Sequence, residues 1–358
     1  MWKLPPALAV VLLFLAALPA RGQTGSDLMI RPFRETDLLE LNADAAFMFG
    51  SETSNADAFG NSHDFRADIY DLTGRLRLTP GDSAEGIARA QPRAGFATRY
   101  IQLHSNDPVL PDELFDGAAA LGMGVLSYEG WLGGISLGAG YAGTDFERDG
   151  NALYFQGSFA VGKTFANGVD SFGLVLDYDG NRSFLPDVPL LGFQYRRRLD
   201  PAARPPREGP SFEGYDPEAD PARLVLALGF PFSGIEWRPN DRLTVEITYS
   251  IPQDLTARAD YTLSGDPETG GVGLYASLNR TVSAFHDNDL PSGHRLFFRQ
   301  STAEAGLNWR LHDRLELVVA GGWAFNQEFE TGWDSRDLDG VADVDDAAYV
   351  RALARLRL

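Results

Sequence analysis

Two stretches of this chain share one pattern, WRPNDRLTVEITY at 237–249 and WRLHDRLELVVAG at 309–321. Both contain Trp-Arg, two further residues and then Asp-Arg-Leu. In the first stretch, Leu243, Val245 and Ile247 alternate with polar residues, as side chains on opposite faces of a strand do. Each stretch therefore predicts the end of one strand, a tight polar turn and the start of the next strand. Two such hairpins with another between them predict an antiparallel meander.

The same alternation continues upstream and downstream. It predicts fifteen strands, at 38–50, 64–79, 93–105, 117–128, 131–142, 151–165, 171–179, 187–197, 223–237, 242–251, 254–264, 271–282, 295–310, 314–326 and 346–358. The Pro-rich and charged segment 198–222 is predicted to be a long loop, as are 283–294 and 327–346. Short turns that alternate with long loops are typical of a transmembrane β-barrel.

A closed bacterial barrel with both chain ends on one side needs an even number of strands. One of the fifteen strands must therefore be wrong, and the Pro-flanked 187–197 segment and a missed break within 223–237 are the two candidates. We expect an all-β, antiparallel up-and-down transmembrane β-barrel of about 14 strands, within a range of 12 to 16, that occupies residues 38–358.

The amino terminus has the features of a secretory signal peptide. Lys3 precedes an apolar run from Ala7 to Ala17, and Ala20-Arg21-Gly22 supplies the small residues of a cleavage site. We expect residues 1–22 to be removed and 23–37 to form a flexible amino-terminal segment. No later stretch approaches the 18 apolar residues of a membrane-spanning helix, so a membrane-embedded form would have to be a closed barrel.

Composition excludes several classes of function. The formal net charge is −19, which argues against a nucleic-acid partner because nucleic acids select basic surfaces. The chain has no cysteine. Disulfides, thiolate metal sites, a cysteine nucleophile and the acylated cysteine of a lipoprotein are therefore excluded.

The alternation also assigns the two faces of the barrel wall. The polar face would line the lumen, and on the clearest strands it carries Glu246, Arg258, Asp260, Glu304, Asn308, Glu316, Arg351, Arg355 and Arg357. On the apolar face, Trp237, Trp309 and Trp323 would mark the membrane interface, where indole rings are enriched. If the barrel were instead a soluble sandwich, the same tryptophans would be core residues and the charged face would be solvated.

Several of these motifs resemble an uncharacterised group of bacterial outer-membrane β-barrel proteins that carries only a domain-of-unknown-function label. The resemblance lies in the twin turns, in DGNRSFLPD at 179–187, in GFPFS at 229–233 and in Val-Asp-Asp at 344–346. It implies a fold and an outer-membrane location, and it implies no catalytic residues. One difference is the last residue, Leu358, where such proteins commonly have Phe or Trp.

Two sets of polar residues are candidate sites. In the acidic run 334–346, the carboxylates of Asp337, Asp339, Asp343 and Asp345 could bind Ca²⁺, although the EF-hand pattern fails. The alternative is a solvated outer loop. His104 beside Ser105, and His286, could indicate an enzyme that acts on lipids. However, neighbours on a strand point to opposite faces and cannot pair directly.

The sequence therefore favours an outer-membrane protein that is a porin-like passive channel or a structural wall protein and not an enzyme, without a cofactor other than possible Ca²⁺. Its expected partners are outer-membrane lipid, lipopolysaccharide and, through its last strand, the barrel assembly machinery. Two alternatives remain: an exported soluble β-sandwich or ligand-binding barrel, and an outer-membrane lipid-modifying enzyme. Whether the lumen is open, which solute passes and how the chain oligomerises do not follow from the sequence.

Overall fold

The computed structural model describes residues 38–55, 62–78, 89–126, 131–144, 152–165, 170–199, 224–250, 254–266 and 270–358. The predicted signal peptide, the segment 23–37 and nearly all of the predicted loop 198–222 lie outside the described residues. Among the residues described, no helix is long and apolar enough to cross a membrane.

The described part of the chain is built from strands. They are β1 (Leu39–Met48), β2 (Ser51–Asn55), β3 (Ser62–Arg77), β4 (Arg89–Ser105), β5 (Glu113–Leu126), β6 (Trp131–Gly143), β7 (Leu153–Thr164), β8 (Asp170–Asp179), β9 (Leu190–Arg198), β10 (Leu224–Phe230), β11 (Phe232–Asn240), β12 (Leu243–Ser250), β13 (Asp254–Asp266), β14 (Gly270–His286), β15 (Arg295–His312), β16 (Leu315–Gly332), β17 (Leu338–Val344) and β18 (Ala347–Arg357).

Sixteen of these strands form one closed antiparallel ring, and β2 and β17 lie outside it. Neighbours in the ring are neighbours in the chain except where β2 or β17 is skipped. The ring closes where β1 pairs with β18 from Glu40↔Arg357 to Met48↔Tyr349. On its other side, β1 meets β3 at Leu39↔Leu76. The all-β closed barrel is therefore confirmed, and its sixteen strands are two more than the central prediction of about 14, at the upper limit of the predicted range.

The prediction of fifteen strands missed a break within 223–237, which was one of the two candidate errors. The structure divides that stretch into β10 and β11, with Pro231 between them, and retains β9 in place of the doubtful 187–197 strand. The sequence pattern does not reveal this chain reversal, because apolar residues continue through it and the alternation gives no sign of a turn. Proline suits the position because it cannot donate to a β-ladder.

The two ends of the barrel differ. The first described residue and the last residue meet at one end, where the backbone N–H of Leu38 donates to the carbonyl of Leu358. We call it the terminal end, and the opposite end the distal end. At the distal end, β2 and β17 pair with each other and extend the wall beyond the ring. The predicted long loop 327–346 is therefore wrong, since β16 continues to Gly332 and β17 occupies 338–344.

The outer face of the ring is apolar and exposed. Leu137, Phe155 and Val319 are each more than 60 % exposed. The distal end is filled from within by an apolar cluster that includes Phe65, Phe285 and Phe298. These three belong to β3, β14 and β15, and β3 is not a neighbour of β14 or β15 in the ring. The cluster therefore joins different parts of the wall across the interior.

Candidate functional site

Charged side chains meet inside the ring around Arg351 on β18. Its guanidinium lies 2.7 Å from a carboxylate oxygen of Asp44 on β1 and also pairs with Glu304 on β15. The hydroxyls of Tyr275 and Tyr349 donate to the same Glu304 carboxylate at 3.0 and 2.9 Å. Because β15 and β18 are separated by β16, their side chains can meet only on the concave inner face. Arg351 and Glu304 therefore identify the inner face of their strands.

A second group lies nearer the terminal end. Arg355 and Arg310 both donate to Glu316, at 2.8 and 3.3 Å. The side-chain amide of Asn308 on β15 lies 3.4 Å from Asp260 on β13, across the intervening β14.

The structure places the nine predicted lumen residues on one face. The inner-face positions of Glu246 and Arg357 follow from cross-strand pairs, because Glu246 lies opposite Arg258 and Arg357 lies opposite Glu40. Arg258 stacks over the ring of Tyr275, 4.0 Å from its centroid. The pairing of acids with arginines neutralises most charge on this face. That the nine residues line a conducting lumen stays a prediction.

A short connection at the distal end folds inward. It comprises residues 180–187, between β8 and β9, and we call it the mouth segment. The side-chain amide of Asn181 donates to the carbonyl of Ala284 on β14 at 3.1 Å and lies 3.4 Å from Asp116 on β5. Seven ring steps separate β5 from β14 by the shorter route. One side chain therefore connects nearly opposite walls.

Arg295 at the start of β15 holds the mouth segment in place. Its guanidinium donates to the carbonyl of Arg182 at 3.0 Å and to that of Trp333 at 3.1 Å, and it lies 3.4 Å from the side-chain oxygen of Asn181. The arginine is only 8 % exposed. A second attachment runs from the backbone N–H of Ser335 to the carbonyl of Ser183 at 2.8 Å.

The mouth segment is also braced internally. The guanidinium of Arg182 donates to the Asp177 carboxylate at 2.6 Å and to the carbonyl of Val188 at 3.2 Å. Leu185 and Asp187 have φ angles of 49° and 59°, which non-glycine residues rarely adopt. Such strained conformations persist only where surrounding contacts impose them.

Opposite walls also touch directly at the distal end. His286 on β14 forms a bridge with Gly143 on β6, and the N–H of Thr144 donates to the carbonyl of His286 at 3.0 Å. In a ring of sixteen strands, β6 and β14 are eight steps apart in either direction. Together with the mouth segment and the apolar cluster, this contact narrows the interior at the distal end.

The three predicted interface tryptophans lie on the outer face. Trp237, Trp309 and Trp323 are 47 %, 52 % and 50 % exposed. Trp237 and Trp309 lie near the terminal end, and Trp323 lies toward the distal end, where its indole N–H is 3.3 Å from Asp346. They thus occupy two levels on the apolar surface, and their place at the membrane interface stays a prediction.

The acidic stretch does not form a metal centre in the described part of the chain. No group of three or more His, Cys, Asp or Glu side chains there could hold a metal ion. Asp339 and Asp343 belong to β17, and the backbone N–H of Asp345 donates to the carbonyl of Glu52 at 2.9 Å. The acidic residues therefore lie along a strand and do not surround a common ion position. The expected Ca²⁺ loop of Asp337, Asp339, Asp343 and Asp345 is not assembled.

The candidate hydrolytic residues are also separate. His104 lies 3.2 Å from Asp68, while the hydroxyl of the adjacent Ser105 accepts from the backbone N–H of Asp107 at 3.1 Å. His286 lies in the contact between opposite walls. These contacts do not join the serine and either histidine into a nucleophile and its base.

Sequence reasoning missed the residues that close the distal end. Asn181 and Arg182 belong to DGNRSFLPD at 179–187, which carried only a resemblance. Arg295 was assigned to a strand and given no role. The available signal was the unusual density of polar residues in a short connection between two alternating strands, but nothing in that stretch indicates that it folds inward.

No family model matches the sequence, and no curated protein matches it significantly. Solved structures of bacterial outer-membrane β-barrels resemble the fold at low identity. The toluene transporter TodX of P. putida has a TM-score of 0.39 and 8 % identity over 94 % of this chain and 92 % of its own. OccAB4 of Acinetobacter baumannii has a TM-score of 0.35 and 9 % identity, over 91 % and 100 %. The β domain of the Bordetella autotransporter BrkA has a TM-score of 0.32 and 11 % identity, over 89 % and 99 %.

Proposed function

We propose that this chain is an outer-membrane β-barrel that acts as a narrow, gated passive channel for small solutes. The basis is the ring itself. Inside a bilayer every backbone polar group must be paired within the protein, and a closed barrel satisfies this condition. An apolar outer face that surrounds a charged inner face is the arrangement of a transmembrane barrel. The terminal end then faces the periplasm and the distal end faces outside.

The single observation that carries the channel function is the charged inner face. Arg351, Glu304 and Asp44 form a paired network across non-neighbouring strands, and Glu316 with its two arginines continues it toward the terminal end. A wall whose only role was mechanical could fill its interior with apolar side chains. Paired charges instead offer hydrogen-bonding groups to a solute along the interior between the apolar cluster and the terminal end.

The distal closure supports a gated channel and not a permanently open one. Arg295 and Asn181 hold the mouth segment across the interior by individual hydrogen bonds of 3.0 to 3.4 Å. The segment itself is a short connection of the kind that local opening releases first. We assign the closed state to this arrangement and the open state to release of the mouth segment toward the outside.

The remaining expectations follow from this location. Outer-membrane lipid and lipopolysaccharide surround the apolar face, with Trp237, Trp309 and Trp323 at its two margins. The carboxy-terminal strand β18, which closes the ring against β1, is the element that the barrel assembly machinery would receive.

Current through the refolded chain in planar bilayers tests the channel. We expect small, infrequent unitary currents, because contacts across the interior narrow the distal end, and we expect Arg295→Gln to make openings more frequent. Detergent without protein is the control. Absence of current from both the wild type and Arg295→Gln overturns the channel.

The contacts between opposite walls favour one second candidate, a structural wall protein with a permanently closed interior. It predicts a folded, membrane-inserted barrel that is silent in both forms. A soluble β-protein would instead refold without detergent, and a lipid-modifying enzyme would lose lipid hydrolysis on His104→Ala or His286→Ala.

A further inference from the structure

Several acids on the inner face have an arginine within ion-pair distance, whereas Asp116, Asp179 and Asp254 have none in the described part of the chain. Arg351, Arg75, Arg99 and Arg258 neutralise the paired acids Asp44, Glu304, Glu40, Asp71 and Asp260. Asp116 on β5 and Asp179 on β8 have no cationic partner within 4.0 Å among the described residues. Their hydrogen bonds come from neutral donors.

These two carboxylates lie beside each other beneath the mouth segment. The hydroxyl of Tyr154 donates to Oδ1 of Asp116 at 2.7 Å. The backbone N–H of Asn181 donates to Oδ1 of Asp179 at 2.9 Å, and the side-chain amide of Asn181 lies 3.4 Å from Oδ2 of Asp116. Because one residue contacts both, the carboxylates face a common space.

A third polar side chain, that of Gln156, faces the same space. Gln156 on β7 lies directly opposite Asp179 in the β7–β8 ladder. It is 2 % exposed, and neither its amide oxygen nor its amide nitrogen has a hydrogen-bond partner in the part of the chain that the structure describes. Tyr154 is two residues away on the same strand, so both side chains share one face. The hydroxyl of Tyr154 reaches Asp116, and Gln156 therefore points toward the two carboxylates.

Burial of two carboxylates that no cation contacts directly is costly, and an unsatisfied buried amide adds to the cost. A cationic ligand offsets both costs. A protonated primary amine fits the set because an ammonium group has three N–H donors and no acceptor. The three acceptors are the Asp116 carboxylate, the Asp179 carboxylate and the side-chain oxygen of Gln156. A divalent metal fits less well, since no group of three or more His, Cys, Asp or Glu in the described chain could hold one.

We propose that Asp116, Asp179 and Gln156 form a binding subsite for the protonated amine of a small solute. The proposal names the solute class of the channel and in that respect rests on the proposed function. A solute that enters when the mouth segment moves would meet this subsite first, because Asn181 of the mouth segment contacts both Asp116 and Asp179. Cationic amines would therefore pass in preference to anions.

Equilibrium dialysis of the refolded full chain in detergent, with radiolabelled ethylammonium at low ionic strength, tests the subsite without requiring conduction. We expect saturable binding that is lost in Asp116→Asn/Asp179→Asn. Gln156→Leu is expected to weaken binding roughly tenfold, the loss of one hydrogen bond to a charged group. Asp260→Asn is the matched control, an inner acid paired with Arg258, and it should bind as the wild type does. Heat-modifiable migration verifies that each variant is folded.

Three results overturn the subsite: no saturable binding in the folded wild type, equal binding in the double variant, or displacement of ethylammonium by Mg²⁺ at lower concentration than by unlabelled ethylammonium. Bilayer recordings separate this proposal from the channel itself. If the protein is silent but binds ethylammonium, the channel fails and the subsite stands. If it conducts with the same ethylammonium-to-chloride selectivity in wild type and double variant, and does not bind, the channel stands and the subsite fails.

Discussion

At the scale of single residues, the inner face is organised by ion pairs that share a partner. Arg351 contacts Asp44 and Glu304 from strands on both sides of β18, and Glu316 receives both Arg310 and Arg355. Arg351 therefore couples three strands at once. Loss of this arginine leaves more than one carboxylate buried without a partner, which is the expensive outcome for a buried ion pair.

We expect Arg351→Gln to lower the free energy of unfolding by about 3–5 kcal/mol, since it leaves Asp44 and Glu304 buried without their cation. Urea unfolding of the refolded barrel in detergent micelles measures the change. Arg66→Gln is the control, because Arg66 is 51 % exposed in its pair with Asp68 and such pairs contribute about 0–1 kcal/mol. Equal losses in the two variants would contradict the role given to Arg351.

The carboxyl group of Asp334 is a titratable group at the distal end. It lies outside the barrel strands, between β16 and β17. Burial acts to raise the pKa of its carboxyl group, but the hydrogen bonds from Arg336 outweigh burial and hold the pKa below its usual range. A lowered folded-state pKa stabilises the fold above the unfolded-state pKa, and the stabilisation is lost as the pH falls through the folded-state pKa.

We therefore expect the stability difference between wild type and Asp334→Asn to be full above pH ~4 and to shrink as the pH is lowered further. Amide hydrogen exchange at Ser335, whose N–H holds Ser183 of the mouth segment, reports the change locally. Asp339→Asn, an exposed acid on β17, is the control. A difference that persists unchanged at the lowest pH would contradict this origin.

At the scale of elements, the distal end depends on one short connection. The mouth segment is held by Arg295 on β15, by the carbonyl of Ala284 on β14 and by the N–H of Ser335, which belong to three different parts of the wall or its connections. No ladder pairs it with a strand, so its closure depends on a few side chains. The proposed opening would therefore leave the ring undisturbed.

We expect Arg295→Gln to raise the frequency of channel opening in planar bilayers by tenfold or more, because a hydrogen bond to a charged donor contributes ~1.5–3 kcal/mol and Arg295 makes several. Arg299→Gln is the control. Arg299 lies four residues along the same strand and pairs with Glu328 and Glu330 instead of the mouth segment. An equal effect of both substitutions would show that the change in opening frequency arises from disturbance of β15 and not from release of the mouth segment.

At the scale of the whole molecule, stability depends on ring closure. The pairing of β1 with β18 extends over nine residue pairs, from Glu40↔Arg357 to Met48↔Tyr349. A barrel closed in this way leaves no unpaired edge over the paired length. At the terminal end, hydrogen bonds between Leu38, Leu39 and Leu358 complete the circle.

We expect the refolded chain to migrate differently in gels before and after heating, since the closed ring resists detergent until it is heated. A chain that ends at residue 346 lacks β18 and is the control, because its ring cannot close between β16 and β1. Identical migration of heated and unheated full-length protein would contradict a closed barrel.

The alternation of apolar and polar residues by itself determined much of the strand arrangement and the faces of the strands. The repeated Trp-Arg-x-x-Asp-Arg-Leu turns appear as the β11–β12 and β15–β16 hairpins, with two tryptophans near the terminal end. The nine polar residues assigned to one face share that face in the structure. These features are local: strand side chains alternate strictly with a period of two, so one correct register places every residue of a strand.

The tertiary structure alone decided how many strands close the ring and what closes its distal end. Apolar residues on both sides of Pro231 hide the reversal between β10 and β11. The mouth segment, the contact of His286 with Gly143 and the convergence of Asp116, Asp179 and Gln156 join residues that are distant in sequence. Alternation reports which face a side chain occupies, but the distance between facing walls depends on ring closure, a property of all sixteen strands together.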